Sequence, residues 1–168
     1  MKKKLIVIVS ILAGTCILFS CGNSSELLKK SEDLTRTAQI LNVDFTKAVY
    51  SKHLNTHNSK APVKEYFAVI KPEPSFVNQL AENIFWDSFP YPKEINQFFI
   101  EAKNYDRYMD KRIKVPHVQN GYYYFCDRQN EYDIHNPKLA LVNECQNYTI
   151  AIYDSDNNIL YYYECDAN

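Results

Sequence analysis

Apolar and polar positions along this chain fall into three successive regimes. The first is a run from Leu5 to Phe19, 15 residues that are almost wholly apolar, behind Lys2, Lys3 and Lys4. A run of that length is short of the roughly 20 residues a membrane span needs. It has the length and the positive flank of a signal-peptide core. The second regime is helical. Ser25 can cap a helix whose loose apolar stripe is Leu27, Leu28, Leu34, Ala38 and Leu41. Phe45, Ala48 and Val49 predict a second short helix over 44–54. Residues 57–62 are polar and read as a loop.

A β-branched and aromatic segment, Lys64 to Ile70, predicts a strand that Pro72 and Pro74 stop. Ser75 is then placed to cap a helix with Phe76, Val77, Leu80, Ala81, Ile84 and Phe85 on one face. Pro90 and Pro92 interrupt the chain again, and Pro92 suits the first turn of a helix because its missing N–H has no partner there. Ile95, Phe98, Phe99, Ala102, Tyr105, Tyr108 and Met109 give that helix its apolar side, and it is expected to end near Arg112.

After Pro116 the period changes from helical to strand-like, which is the third regime. Gly121 to Cys126 predicts a strand, and residues 127–137 a polar loop. Tyr148 to Asp154 and Ile159 to Cys165 flank a four-residue loop, the pattern of a β-hairpin. Pairing across that loop sets Tyr153 opposite Leu160 and Ile150 opposite Tyr163. One face then carries Ile150, Ile152, Ile159, Tyr161 and Tyr163, and the other Thr149, Ala151, Tyr162 and Glu164. Such alternation predicts one face on the core and one towards water. Helices first and an antiparallel meander last define the α+β class: N-terminal helices, then a mainly antiparallel sheet ending in a C-terminal hairpin.

Composition adds limits. The chain's 168 residues fit one domain, 26–168, behind a targeting segment. Its 14 Tyr and 9 Phe supply enough ring area for a sizeable core. Without Lys2, Lys3 and Lys4 the 19 basic residues fall to 16 against 20 acids, a net charge of −4. Binding to nucleic acid or to anionic lipid head groups calls for the opposite sign. Beyond residue 21 the only glycines are Gly22 and Gly121. Phosphate-cradling loops need several, so no nucleotide and no cofactor is expected.

Behind the apolar run stands Leu18-Phe19-Ser20-Cys21-Gly22. This resembles the lipobox of bacterial lipoproteins, and the resemblance covers only about the first 21 residues. It implies a signal peptide, 1–20, cleaved before Cys21, with diacylglycerol on the Cys21 thiol and an acyl chain on the new N-terminus. Residues 21–25 then form a lipidated tether. Several acyl chains make a stable membrane anchor where one does not. In Gram-negative members a residue other than Asp after the cysteine implies passage to the outer membrane, and Gly22 stands there.

An exported domain can carry disulfides. Cys145 and Cys165 are the expected pair, because hairpin register brings residue 165 beside residue 148. Cys126 with Cys165 is nearly as good if their strands are neighbours. Cys126 with His117 or His135 as base is the reactive-thiol alternative. His53 and His57 have helical spacing for a metal, but Leu54 stands where a zinc protease needs Glu, so no metal is expected. Asp154, Asp156 and Asn158 imitate the start of a calcium loop, but Ile159 and Cys165 occupy its Gly and Glu positions. Asp127, Glu131, Asp133 and His135 crowd one loop and could supply acid–base chemistry. Tyr122, Tyr123, Tyr124 and Tyr162 are candidates for an exposed aromatic interaction surface.

The sequence therefore predicts a lipid-anchored binding or interaction protein of the cell envelope, with a protein partner there and membrane attachment through Cys21. An immunity or inhibitor protein is one form of it. A small envelope enzyme using Cys126 or the loop 127–135 is the first alternative, and a structural lipoprotein without a specific ligand is the second. An enzyme is not the expectation, since no catalytic motif is present.

Overall fold

The computed structural model describes residues 32–45, 47–55, 63–99 and 115–167. The chain divides into two units, Met1–Thr37 and Ala38–Asn168. In the first, residues 32–37 are helical. The second opens with the last turn of that helix (α1, 32–41) and contains all of the described sheet. Its elements are β1 (Val49–Asn55), β2 (Val63–Lys71), α2 (Phe76–Glu82), β3 (Asp87–Ser88), α3 (Lys93–Phe99), β4 (Gly121–Asp127), α4 (Pro137–Val142), β5 (Asn147–Asp154) and β6 (Ile159–Ala167). The strands form one antiparallel sheet in the order β1-β2-β6-β5-β4-β3. The fold is α+β, mostly sheet, with the hairpin β5–β6 at its centre.

The hairpin register is the expected one, with Tyr153 opposite Leu160, Ile150 opposite Tyr163 and Tyr148 opposite Cys165. Asp154 builds the turn. Its Oδ1 accepts from the N–H groups of Asp156 and Asn157, and its Oδ2 from the Asn157 side chain. Asn158 then takes φ 51°, a left-handed conformation that Asn tolerates.

The expected division into a core face and a water face is corrected. One face packs Phe67, Phe125, Ile150, Ile152, Tyr161 and Tyr163 with Ile95 and Phe98 of α3 and Ala140 of α4. The Phe98 ring sits 5.1 Å from Phe125 and 4.8 Å from Tyr148, centroid to centroid. The other face, with Tyr66, Ala68, Ala151, Tyr153, Leu160 and Tyr162, is equally buried. Phe76 of α2 stacks edge-on against Tyr153 there at 5.3 Å. Thr149 and Glu164 on that face are fully buried. The pattern reads as half-polar because polar groups are buried on it, Glu164 bonded to Tyr162, not because water reaches it.

The end of α1 is tied to this second face. Asn42 terminates the helix at φ 52°. Two of its orphan carbonyls are satisfied by buried aromatic donors, Tyr124 Oη to Ile40 O at 3.2 Å and Trp86 Nε1 to Leu41 O at 3.1 Å.

Three local expectations change. Residues 49–55 form an edge strand on β2, not a helix, with Val49 opposite Lys71 and Asn55 opposite Tyr66. Backbone pairing with a long neighbour overrides a weak helical pattern. Helix α2 follows Ser75, but the Ser75 side chain makes no cap bond. The helix also closes at Glu82, which leaves Ile84 and Phe85 exposed beyond it. The helix after Pro92 runs Lys93–Phe99, and its expected continuation to Arg112 lies outside the described residues. Helix α4 and the two-residue strand β3 carried no pattern long enough to predict.

Candidate functional site

The polar residues singled out by sequence sort into those used up by the fold and those that face solvent. The acidic loop belongs to the first group. Asp127 repeats the arrangement of Asp154. Its Oδ1 accepts from the N–H groups of Gln129 and Asn130, and its Oδ2 from the Asn130 side chain. Both aspartates begin a D-x-x-N segment, and both are buried. Asp133 and Asn136 form a third such segment, with Asn136 Nδ2 donating to Asp133 Oδ2 at 2.8 Å. A carboxylate that collects loop N–H groups is a turn-building device. His135 donates from Nδ1 to Phe125 O at 2.5 Å and lies between the rings of Phe85 and Tyr124. Glu131 is exposed. The four residues are not brought together as an acid–base pair.

The thiols are also drawn into the fold. Strand register sets Asp127, Tyr148, Cys165 and Glu65 side by side across one face, all buried. Cys145 donates to Asp127 Oδ1 at 2.9 Å, and Tyr163 Oη donates to Glu65 Oε1 at 2.8 Å. Cys126, Cys145 and Cys165 are all free thiols, so the expected Cys145–Cys165 bridge is not formed. Cys126 cannot be its neighbour's substitute, because β5 separates β4 from β6. Burial is the largest effect on each thiol. It pushes Cys145 up to about 12, with help from the Asp127 carboxylate, and Cys165 up to about 11. Cys126 is raised too, by burial, against a lowering contribution from the Tyr124 hydrogen bond and Arg128. A nucleophilic cysteine needs the opposite shift.

Two outcomes follow. Iodoacetamide at neutral pH should alkylate the folded chain's Cys126, Cys145 and Cys165 more slowly than free cysteine, and all three rapidly in denaturant; a fast-reacting Cys126 would contradict the assignment. A thiol whose folded pKa is raised favours the folded state fully below its unfolded value, near 9.0. Stability should therefore fall as pH rises from about 9 towards 11 and 12.

On the opposite face the register aligns Cys126, Thr149, Glu164 and Tyr66. Tyr162 Oη donates to Glu164 Oε1 at 2.5 Å. Arg128 reaches over the row to Glu164 at 3.7 Å and Asp166 at 2.7 Å, and donates to the carbonyls of Tyr148 and Cys165. Thr149 Oγ1 is buried without a hydrogen-bond partner among the described residues. The first row and Thr149, Glu164 and Tyr66 of the second are closed to solvent, with Cys126 half-buried at the end of the second.

The expected aromatic patch is corrected in the same way. Tyr162 is fully buried. Tyr124 is buried between Trp86 and His135, its hydroxyl spent on α1. Tyr123 is buried on the α3 side against Tyr91, and burial lifts its phenol to about 12. Only Tyr122 of the four remains half-exposed.

Tyr122 opens onto a groove of about 500 Å³ at the end of the sheet where β3 and β5 finish and β4 begins. Ser88, Phe89, Gln119, Asn120 and Ser155 line it with Tyr122, and Val77 and Pro90 complete its walls. Its frame is held by backbone bonds, Phe89 N–H to Gly121 O at 3.0 Å and Ser155 N–H to Asn120 O at 3.1 Å. The Asn120 amide donates to Asp156 Oδ2 at 3.0 Å, which fixes its orientation. The Phe89–Pro90 peptide bond in the wall is cis. Gly121 permits the close approach beneath the groove. It has φ +152°, and a Cβ there would lie 1.8 Å from Tyr153 O. The volume falls within the roughly 300–1,000 Å³ of small-ligand sites. Sequence reasoning found Tyr122 but not the rest, because Ser88, Gln119, Asn120 and Ser155 come from strand β3 and two loops with no shared motif.

His53 lies on strand β1, and His57 is outside the described residues, as is Cys21. Among the described residues no group of three or more His, Cys, Asp or Glu could hold a metal ion. No protein-family model, curated protein or solved structure matches the chain.

Proposed function

We propose that this chain is a lipid-anchored binding protein of the bacterial cell envelope, attached through Cys21 and presenting the groove around Tyr122. The observation that carries the anchor is Leu18-Phe19-Ser20-Cys21 behind a charged start and a 15-residue apolar run. Support for binding over catalysis comes from the division of polar groups. Asp127, Asp133, Cys145 and Cys165 are engaged in turns and buried rows, and the half-buried Cys126 has its thiol pushed up by burial. The half-exposed Tyr122 and its neutral polar neighbours face solvent instead.

The anchor is tested by growing the producing bacterium with labelled palmitate. Wild-type chain should take up label and sediment with membranes, and Cys21→Ala should do neither. Equal labelling of the two would remove Cys21 as the lipid acceptor.

A further inference from the structure

We infer that the groove at Tyr122 recognises a neutral saccharide. The inference rests on the binding reading above and names its ligand class. No Asp, Glu, Lys or Arg side chain lines the groove. Phosphates, carboxylates and nucleotides are held by cationic side chains or by runs of free N–H groups, and charged amines by carboxylates. This lining offers neither.

What it offers is amides and hydroxyls. Gln119 and Asn120 each present donors and an acceptor, and Ser88, Ser155 and Tyr122 each do both through one oxygen. A sugar ring is the matching chemistry, because each of its hydroxyls also donates and accepts. The apolar complement is present as well. Tyr122 and Phe89 add aromatic carbon to the lining, apolar area that the C–H face of a pyranose can cover.

A peptide strand fits less well. It would bind by main-chain rungs, but the Phe89 and Ser155 N–H groups and the Gly121 and Asn120 carbonyls around the groove already bond one another. The site is also built in advance. The turn beside it is held by Asp154, and the Asn120 amide by Asp156. A preformed site avoids the ordering cost that weakens small-ligand binding.

The test is calorimetric titration of detergent-solubilised full-length protein with maltotriose and chitotriose, with inorganic phosphate and trialanine as comparison probes. At least one sugar should saturate with a Kd between about 10 μM and 1 mM. Tyr122→Ala and Gln119→Ala should each weaken it about tenfold or more, a loss of about 1.4 kcal/mol. Gln119 is exposed, so its variant tests the site even if Tyr122→Ala fails to fold. Neither sugar saturating by about 10 mM, tighter binding of phosphate or trialanine, or sugar binding untouched by Gln119→Ala would overturn the inference. A chain that carries lipid on Cys21 yet ignores both sugars loses this inference and keeps the envelope reading. A chain that binds sugar but carries no lipid does the reverse.

Discussion

Gly121→Ala should leave little folded protein at room temperature. The residue begins β4 opposite Asp154, at φ +152°, a conformation that side chains rarely adopt. The new Cβ would sit 1.8 Å from Tyr153 O and 2.9 Å from Tyr153 C. Both are backbone atoms of a central strand, so no rotamer change relieves the overlap. Either β4 moves off β5, or the turn after Asp154 is displaced. Each breaks ladder bonds and opens both hydrophobic layers. A loss of about 4 kcal/mol or more is expected, in the exceptional range for one substitution. Against a total stability of about 5–15 kcal/mol, that removes a large share. Thermal melting should fall by on the order of 10 °C or more, if a cooperative transition survives. Ser155→Ala, on the exposed turn beside it, should stay within about 0.5 kcal/mol of wild type. A Gly121→Ala chain that melts within a few degrees of wild type would mean that β4 and β5 do not approach as described.

Arg128→Met is the second large effect. The guanidinium faces two carboxylates and two strand-end carbonyls at once. The Asp166 contact is partly solvated and contributes little, as exposed ion pairs do. Glu164 is different, because its side chain is 0% exposed. Removing the cation takes a positive charge from beside that buried carboxylate, while the Tyr162 Oη bond stays. Breaking one partner of a buried pair costs about 3–5 kcal/mol. The hydroxyl that remains and the exposure of Arg128 place the expected loss at the lower end, about 3 kcal/mol. Arg128→Lys should recover only part, since an ammonium cannot span the fork's four acceptors. Adding Glu164→Gln to Arg128→Met should restore some stability, because the buried side chain then carries no charge. Urea titration of the four chains measures all of this. An Arg128→Met loss below about 0.5 kcal/mol would make the pair a surface contact.

How much of this was readable in the sequence depends on the element. The hairpin was legible to the residue, because strict alternation flanks a turn whose length fixes register. Strands β2 and β4 were legible from their β-branched and aromatic residues, and the start of the helix after Pro92 from the proline itself. Segment 49–55 was not. Phe45, Ala48 and Val49 have helical spacing, and only pairing with β2 makes the segment extended. The water face of the hairpin was misjudged because Thr149 and Glu164 are polar by type. Glu164 is met there by Arg128, just past the end of β4, a contact that no local window holds.

The site shows the same limit. Strand periodicity placed tyrosine rings on both sheet faces but could not say that helices cover both. Three of the four candidate tyrosines are consequently core, and Tyr122 alone reaches the groove. The acidic loop looked reactive because its composition was visible while its hydrogen bonds were not. The repeated D-x-x-N spacing at Asp127, Asp133 and Asp154 is the signal that could have marked these residues as turn builders.

The proposed function turns on attachment of the domain to a membrane through Cys21. Mass spectrometry of the chain purified from membranes tests it most directly. The expected result is an N-terminal peptide that begins at Cys21 and carries the added mass of a diacylglyceryl group, together with an acyl group where the host adds one. A chain that retains Met1, or that begins at another residue with an unmodified Cys21, would contradict it.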